Sequence, residues 1–176
     1  MHIISSFRDP LSHFISSYLQ NQQTVLDMYK SKFSYYIKVI KDNTNSTERV
    51  IKPYDYYNLN NFQTKFMLSS YNETINLNEA IEYMKTLFWF SIQDQLELSL
   101  KLLQCQMFGK VDEESLKTML KSKSTNKAIS KKTNSFEISA NDIENIKEMI
   151  SIDIQFYDHV VAEFMNRVSK YSHCLN

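Results

Sequence analysis

Apolar residues in this chain recur mostly at helical spacing, interrupted by two short runs that read as strands. His2 to Phe7 (HIISSF) forms the first such run and ends at Arg8. Asp9 is a good N-cap and Pro10 a good first helical residue. Leu11, Phe14, Ile15, Tyr18 and Leu19 then mark one helical face. A second apolar phase from Val25 to Ile40 predicts a further helix or a kinked continuation, and the polar, Asn-rich stretch 42–62, with Tyr54, Tyr56 and Tyr57, predicts a loop. Leu77 to Lys85 reads as helix and Thr86 to Ile92 (TLFWFSI) as a buried strand.

Beyond that strand, Leu96, Leu100, Leu103 and Met107 share one face of a helix over 95–108, for which Asp94 is a candidate N-cap. Asp112 opens a shorter helix, DEESLKTML. Residues 121–135 are lysine-rich and almost wholly polar, which predicts a flexible surface loop. Ser139 and Asp142 are spaced as a capping box. They start one long predicted helix that carries Ile143, Ile146, Met149, Ile150, Ile154, Tyr157, Val161, Phe164 and Val168. The coarse order is strand, helices, strand, helices. Two strands make no stable sheet alone, so the pattern reads as part of a larger domain.

Composition narrows the chemistry. The 176 residues include one glycine, Gly109, where about 12 would be ordinary. A P-loop and a G-x-G-x-x-G turn both need several glycines where backbone amides approach phosphate, so neither can be built. Twenty basic residues balance twenty acidic ones, which leaves no field of one sign to attract nucleic acid. Arginine is confined to Arg8, Arg49 and Arg167. Cys105 and Cys174 are too few and too distant in sequence for a metal cluster or a disulfide framework, and Cys105 reads as a buried thiol. The longest apolar run, Leu87 to Phe90, falls far short of a membrane span, and no leader pattern follows Met1, so the chain as given is expected to be soluble.

The stretch FRDPLSHFISSY (Phe7 to Tyr18) carries the clearest chemistry. It sets an arginine fork at a strand-to-helix turn, beside the positive end of the helix dipole. Ser16 lies two turns further along. Together these describe an anion site, with phosphate the natural occupant. The plainer alternative is that Arg8 pairs with a carboxylate and Ser16 is a surface hydroxyl. His13 is a further candidate for the same anion or for proton transfer, against a structural role.

R-D-P-x-x-x-F-x-S-x-Y resembles the 3′-phosphate-binding motif of sulfotransferases that use 3′-phosphoadenosine 5′-phosphosulfate (PAPS), in the carbohydrate sulfotransferase branch. Arg8 and Ser16 match the two phosphate ligands of that motif, Phe14 and Tyr18 match its flanks, and His13 stands where many relatives carry arginine. Phe88 to Leu103 is similar to the family's second strand and helix, matching at Ser99, Leu102 and Leu103, with Asp94 for glutamate and Ser91 for glycine. Ser151 to Val168 resembles a third family segment at Asp153, Tyr157 and Phe164.

The resemblance implies an α/β, P-loop-like sulfotransferase fold, reduced to its helix-rich, strand-poor C-terminal portion, with residues 1–176 forming one partial domain. It implies PAPS as cosubstrate, a carbohydrate acceptor and a Golgi-lumenal or membrane-associated setting, with Lys127, Lys131 and Lys132 over the nucleotide end of the cofactor. The sequons at Asn45 and Asn72 fit that setting. No metal is implied. The glycine-bearing 5′-phosphosulfate loop and the catalytic base of the family precede the arginine motif, where this chain has only seven residues, so no catalytic residue is assigned. The alternatives are a non-catalytic sulfotransferase-like fragment and a helical interaction protein whose RDP turn is only a cap.

Overall fold

The computed structural model describes residues 4–17, 61–68, 75–122 and 138–175. Their packing divides into two units, one of Met1–Arg8, Ile81–Phe136 and Tyr157–Asn176, the other of Asp9–Ala80 and Glu137–Phe156. Helices dominate, with one small parallel sheet, so the α/β character expected from the resemblance holds at that level.

In the first unit, strand β1 (Ile4–Phe7) pairs in parallel with β2 (Trp89–Ile92), Ile4 opposite Trp89 and Phe7 opposite Ile92. All four β2 residues are buried, as a near-continuous apolar run in a covered parallel strand requires. The edge of the Phe7 ring meets Phe90 at 5.5 Å, and Phe90 in turn lies 6.3 Å from Phe164. The strand is shorter than the predicted Thr86–Ile92. The Thr86 hydroxyl donates to the Tyr83 carbonyl at 2.7 Å, so this residue closes a helical turn instead.

A single 3₁₀ turn (Gln93–Gln95) leads from β2 into a helix at Leu96–Phe108, which ends at Gly109 with φ 69°. Asp94 sits inside that turn and Gln95 takes the cap position, so the predicted N-cap role of Asp94 is not realised. The chain resumes as a helix at Glu113–Ser122, and Asp112 Oδ1 accepts from the Glu114 and Ser115 amides. This helix extends two residues into the predicted 121–135 loop, and residues 123–135 lie outside the described part. The unit closes with residues 157–170 of the long helix Ser151–Lys170 and a four-residue helix, Ser172–Leu175.

A disulfide joins Cys105 to Cys174, with Cα atoms 5.9 Å apart. It overturns the expectation of a buried free thiol at Cys105. Sequence distance said nothing of spatial distance: the C-terminal helix returns to the Leu96–Phe108 helix and brings Cys174 within bonding reach.

In the second unit, residues 10–17 are helical, with Asp9 and Pro10 in their predicted places. Phe62–Met67 is a helix that the pattern did not predict, and Leu77–Thr86 begins here behind Asn76, whose Oδ1 accepts from the Glu79 amide. Ser139 and Asp142 form the predicted capping box at the start of Ala140–Met149. The single long helix expected from there is two, broken at Ile150 (φ −105°, ψ 22°), where the amides of Ile152 and Asp153 donate to Asn61 Oδ1. Phe14, Ile146, Ile150 and Phe156 are buried in this unit.

The second apolar phase at 25–40, the tyrosines at 54, 56 and 57, Arg49, the sequons at Asn45 and Asn72, and Lys127, Lys131 and Lys132 lie outside the described residues. Among the described residues, no helix is long and apolar enough to cross a membrane.

Candidate functional site

The chain leaves β1 at Phe7, 3% exposed, and turns into the first helix through Arg8 and Asp9. Asp9 Oδ1 accepts from the Ser12 amide at 2.7 Å and the Asp9 carbonyl from His13 at 2.9 Å. Pro10 has no amide to give. The helix start therefore satisfies part of its own donor capacity. An anion held here would depend on side chains rather than on backbone amides.

Arg8 is half-buried at the end of the first unit, and Ser16 is half-buried on its helix in the second. His13 is half-buried, its ring 5.6 Å from that of Phe62, and its charge favours ionisation of nearby Asp153. Lys131 and Lys132, the other predicted nucleotide contacts, are outside the described residues.

Residues matched to the second and third segments of the resemblance serve the scaffold. Ser99 is fully buried: its Oγ donates to the Gln95 carbonyl at 2.9 Å and accepts from the Ile92 amide at 3.0 Å. Its carbonyl accepts from Trp89 Nε1 at 2.8 Å. One serine thus locks strand, 3₁₀ turn and helix together. Ser91 Oγ donates to Ser6 Oγ across the parallel pair at 2.9 Å, so a side chain fits where the family pattern has glycine. Phe164 belongs to the core around Phe90.

Asp153 is 2% exposed and accepts three bonds, from the Gln63 amide (3.0 Å), the Thr64 amide (2.8 Å) and the Thr64 hydroxyl (2.6 Å). Burial pushes its carboxyl above the ordinary value, while the Thr64 and Gln63 bonds and the His13 charge pull it down. Nothing in the sequence pattern shows that its partners lie 89 and 90 residues away.

Arg167 is likewise a scaffold residue. Its guanidinium donates to Glu163 (2.7 Å) and to the carbonyls of Leu87 (2.9 Å), Phe88 (3.3 Å) and Lys85 (3.1 Å), and lies 4.8 Å from the centre of the Phe90 ring. It borders a shallow cleft of about 350 Å3 with Phe88, Gln106, Lys170 and Tyr171. A second cleft of similar volume lies at the start of the Leu96–Phe108 helix. It is lined by Lys101 and two carboxylates, Asp94 and Glu97, a poor seat for phosphate. Hydrogen bonding to Glu97, with Glu113 also near, holds the Lys101 ammonium above its usual value.

Compared with protein-family models, curated proteins and solved structures, the chain matches none.

Proposed function

We propose that this chain carries the 3′-phosphate anchor of a PAPS-dependent sulfotransferase that acts on a carbohydrate hydroxyl. The observation that carries the reading is the local architecture at 4–17. A parallel strand ends at a buried phenylalanine, an arginine follows at once, and a helix capped by Asp9 begins with Ser16 two turns along. In this reading the Arg8 fork gives two parallel N–H donors to phosphate oxygens and the Ser16 hydroxyl gives a third. Lys131 and Lys132 are assigned to the nucleotide end of the cofactor on the resemblance alone. The cofactor itself supplies the activated sulfuryl group, and the base and the 5′-phosphosulfate contacts are not assigned to this chain. The P-loop-like sulfotransferase fold is part of the same proposal. The disulfide suits a lumenal setting such as the Golgi, where thiols are oxidised.

A second reading draws on a specific observation, the self-satisfied helix start at Asp9. In it the RDP turn is only a cap, and the chain is a helical interaction protein or a non-catalytic fragment. Adenosine 3′,5′-bisphosphate separates the two. If the anchor is real, the nucleotide raises the melting temperature, and Arg8→Ala and Ser16→Ala each weaken its binding. No shift with the wild-type chain, or affinity unchanged in Arg8→Ala, removes the anchor and leaves the cap.

A further inference from the structure

We propose that the Cys105–Cys174 bridge is a site of thiol–disulfide exchange that is attacked from one side only, at Cys174, and that its opening releases the C-terminal helix. The two sulfurs sit in unequal surroundings. Cys105 is 3% exposed on the Leu96–Phe108 helix, whereas Cys174 is half-buried within Ser172–Leu175. Exchange requires a thiolate to reach a sulfur along the S–S axis, so access selects the target. Cys174, the more exposed of the two residues, is therefore the side attacked, and the Cys105 sulfur is the leaving group.

The steps balance with an external dithiol as reductant. One thiolate of the dithiol bonds to Cys174 Sγ, the Cys105–Cys174 bond breaks, and Cys105 departs as a thiolate that takes up a proton. The second thiol of the reductant then displaces Cys174 from the mixed disulfide. The reductant leaves oxidised and both cysteines are thiols. With a monothiol the first step stops at an adduct on Cys174.

Release follows from the size of the tethered element. Four residues are far below the length at which a helix holds itself together. Within it, the Cys174 and Leu175 amides both donate to the Tyr171 carbonyl, at 2.9 and 3.2 Å. Tyr171 also lines the cleft with Gln106, and Gln106 adjoins Cys105 in sequence. The bridge therefore pins two walls of that cleft. The Leu96–Phe108 helix has its own supports in Ser99 and the buried Leu102, so opening the bridge leaves it folded.

The experiment treats the native chain with reduced glutathione, quenches with acid and maps the cysteines by mass spectrometry. Hydrogen exchange is followed before and after full reduction by a dithiol. The expected adduct is on Cys174, in excess over Cys105 on the order of tenfold. The expected loss of amide protection covers 171–175 and spares 96–108, and Cys174→Ser reproduces that exchange pattern without any reductant. An adduct on Cys105 or equally on both cysteines, resistance of the native bridge to reduction, or exchange that is unchanged or lost throughout the helix would each overturn the proposal. The mapping uses wild-type protein, so it stands even if Cys174→Ser fails to fold.

Discussion

Asn61 and Asp153 cap each other's helices. Asn61 Oδ1 accepts from the Ile152 and Asp153 amides (3.0 and 2.9 Å), at the start of Ser151–Lys170. The Asp153 carboxylate accepts from Gln63 and Thr64, at the start of Phe62–Met67. Each helix start leaves orphan amides, and each side chain satisfies those of the other helix. Asn61 adopts φ 51° to do so, a left-handed conformation that asparagine tolerates better than most residues.

Removing either cap leaves buried donors unpaired, which costs about 1–3 kcal/mol. Asn61→Ala and Asp153→Ala are each expected to lower unfolding free energy by that amount in urea melts. The double variant should lose less than the sum, because the two caps stabilise the same junction. Additive losses would show that the caps act separately.

Asp153 also sets a pH dependence with a defined sign. Its carboxyl is raised from 3.8 in the folded chain, chiefly by burial. A group that binds its proton more tightly when folded contributes stability below its unfolded pKa and loses it as pH rises through the folded value. The stability difference between the wild-type chain and Asp153→Asn should therefore shift against the wild type as pH rises from about 4 through the folded pKa. A difference that moves the other way would mean that the Thr64 and Gln63 bonds and the His13 charge outweigh desolvation. Paired denaturant titrations across that range measure it.

Most caps were readable in the sequence because they are local: Asp9, Asp112 and the Ser139–Asp142 box each act within three residues of themselves. The elements that the pattern missed depend on distant partners. The break at Ile150 and the helix at Phe62–Met67 both adjoin the Asn61–Asp153 exchange, across about ninety residues. The disulfide was missed for a similar reason, since its cysteines are 69 residues apart. At the candidate site the strand, the turn at Arg8 and the helix were all legible. The occupation of the Ser12 amide by Asp9 is part of the same legible cap, and the bond that starts the helix also removes a donor from an incoming anion.

Arg167 offers a test of scarcity. The guanidinium satisfies carbonyls at the end of the Leu77–Thr86 helix, pairs with Glu163 and covers Phe90, with its side chain only 13% exposed. A lysine ammonium is a point charge without the planar fork, so it cannot serve these directions together. Arg167→Lys is expected to cost about 1–3 kcal/mol, because carbonyls and a carboxylate lose partners. Arg167→Ala should cost more, since the stem and the contact with Phe90 also go. Equal stability of Arg167→Lys and wild type in urea would show that charge alone suffices.

The lone glycine has a conformational duty. Gly109 ends the Leu96–Phe108 helix at φ 69°, and its amide donates to the Cys105 carbonyl at 3.0 Å. A Cβ added there would meet nothing within 4 Å, so crowding is not the reason for glycine. The left-handed backbone is the reason, and it costs an L-residue about 1–2 kcal/mol. Gly109→Ala is therefore expected to lower stability by about 1 kcal/mol. Gly109→Asn should lose less, because asparagine enters this region more readily. If alanine matches glycine in thermal melts, the turn has relaxed out of the left-handed region and the Cys105 carbonyl has changed partner. The adjoining bridge gives an independent check: a turn that keeps its geometry should leave the rate of glutathione exchange at Cys174 unchanged, whereas a relaxed turn should alter it.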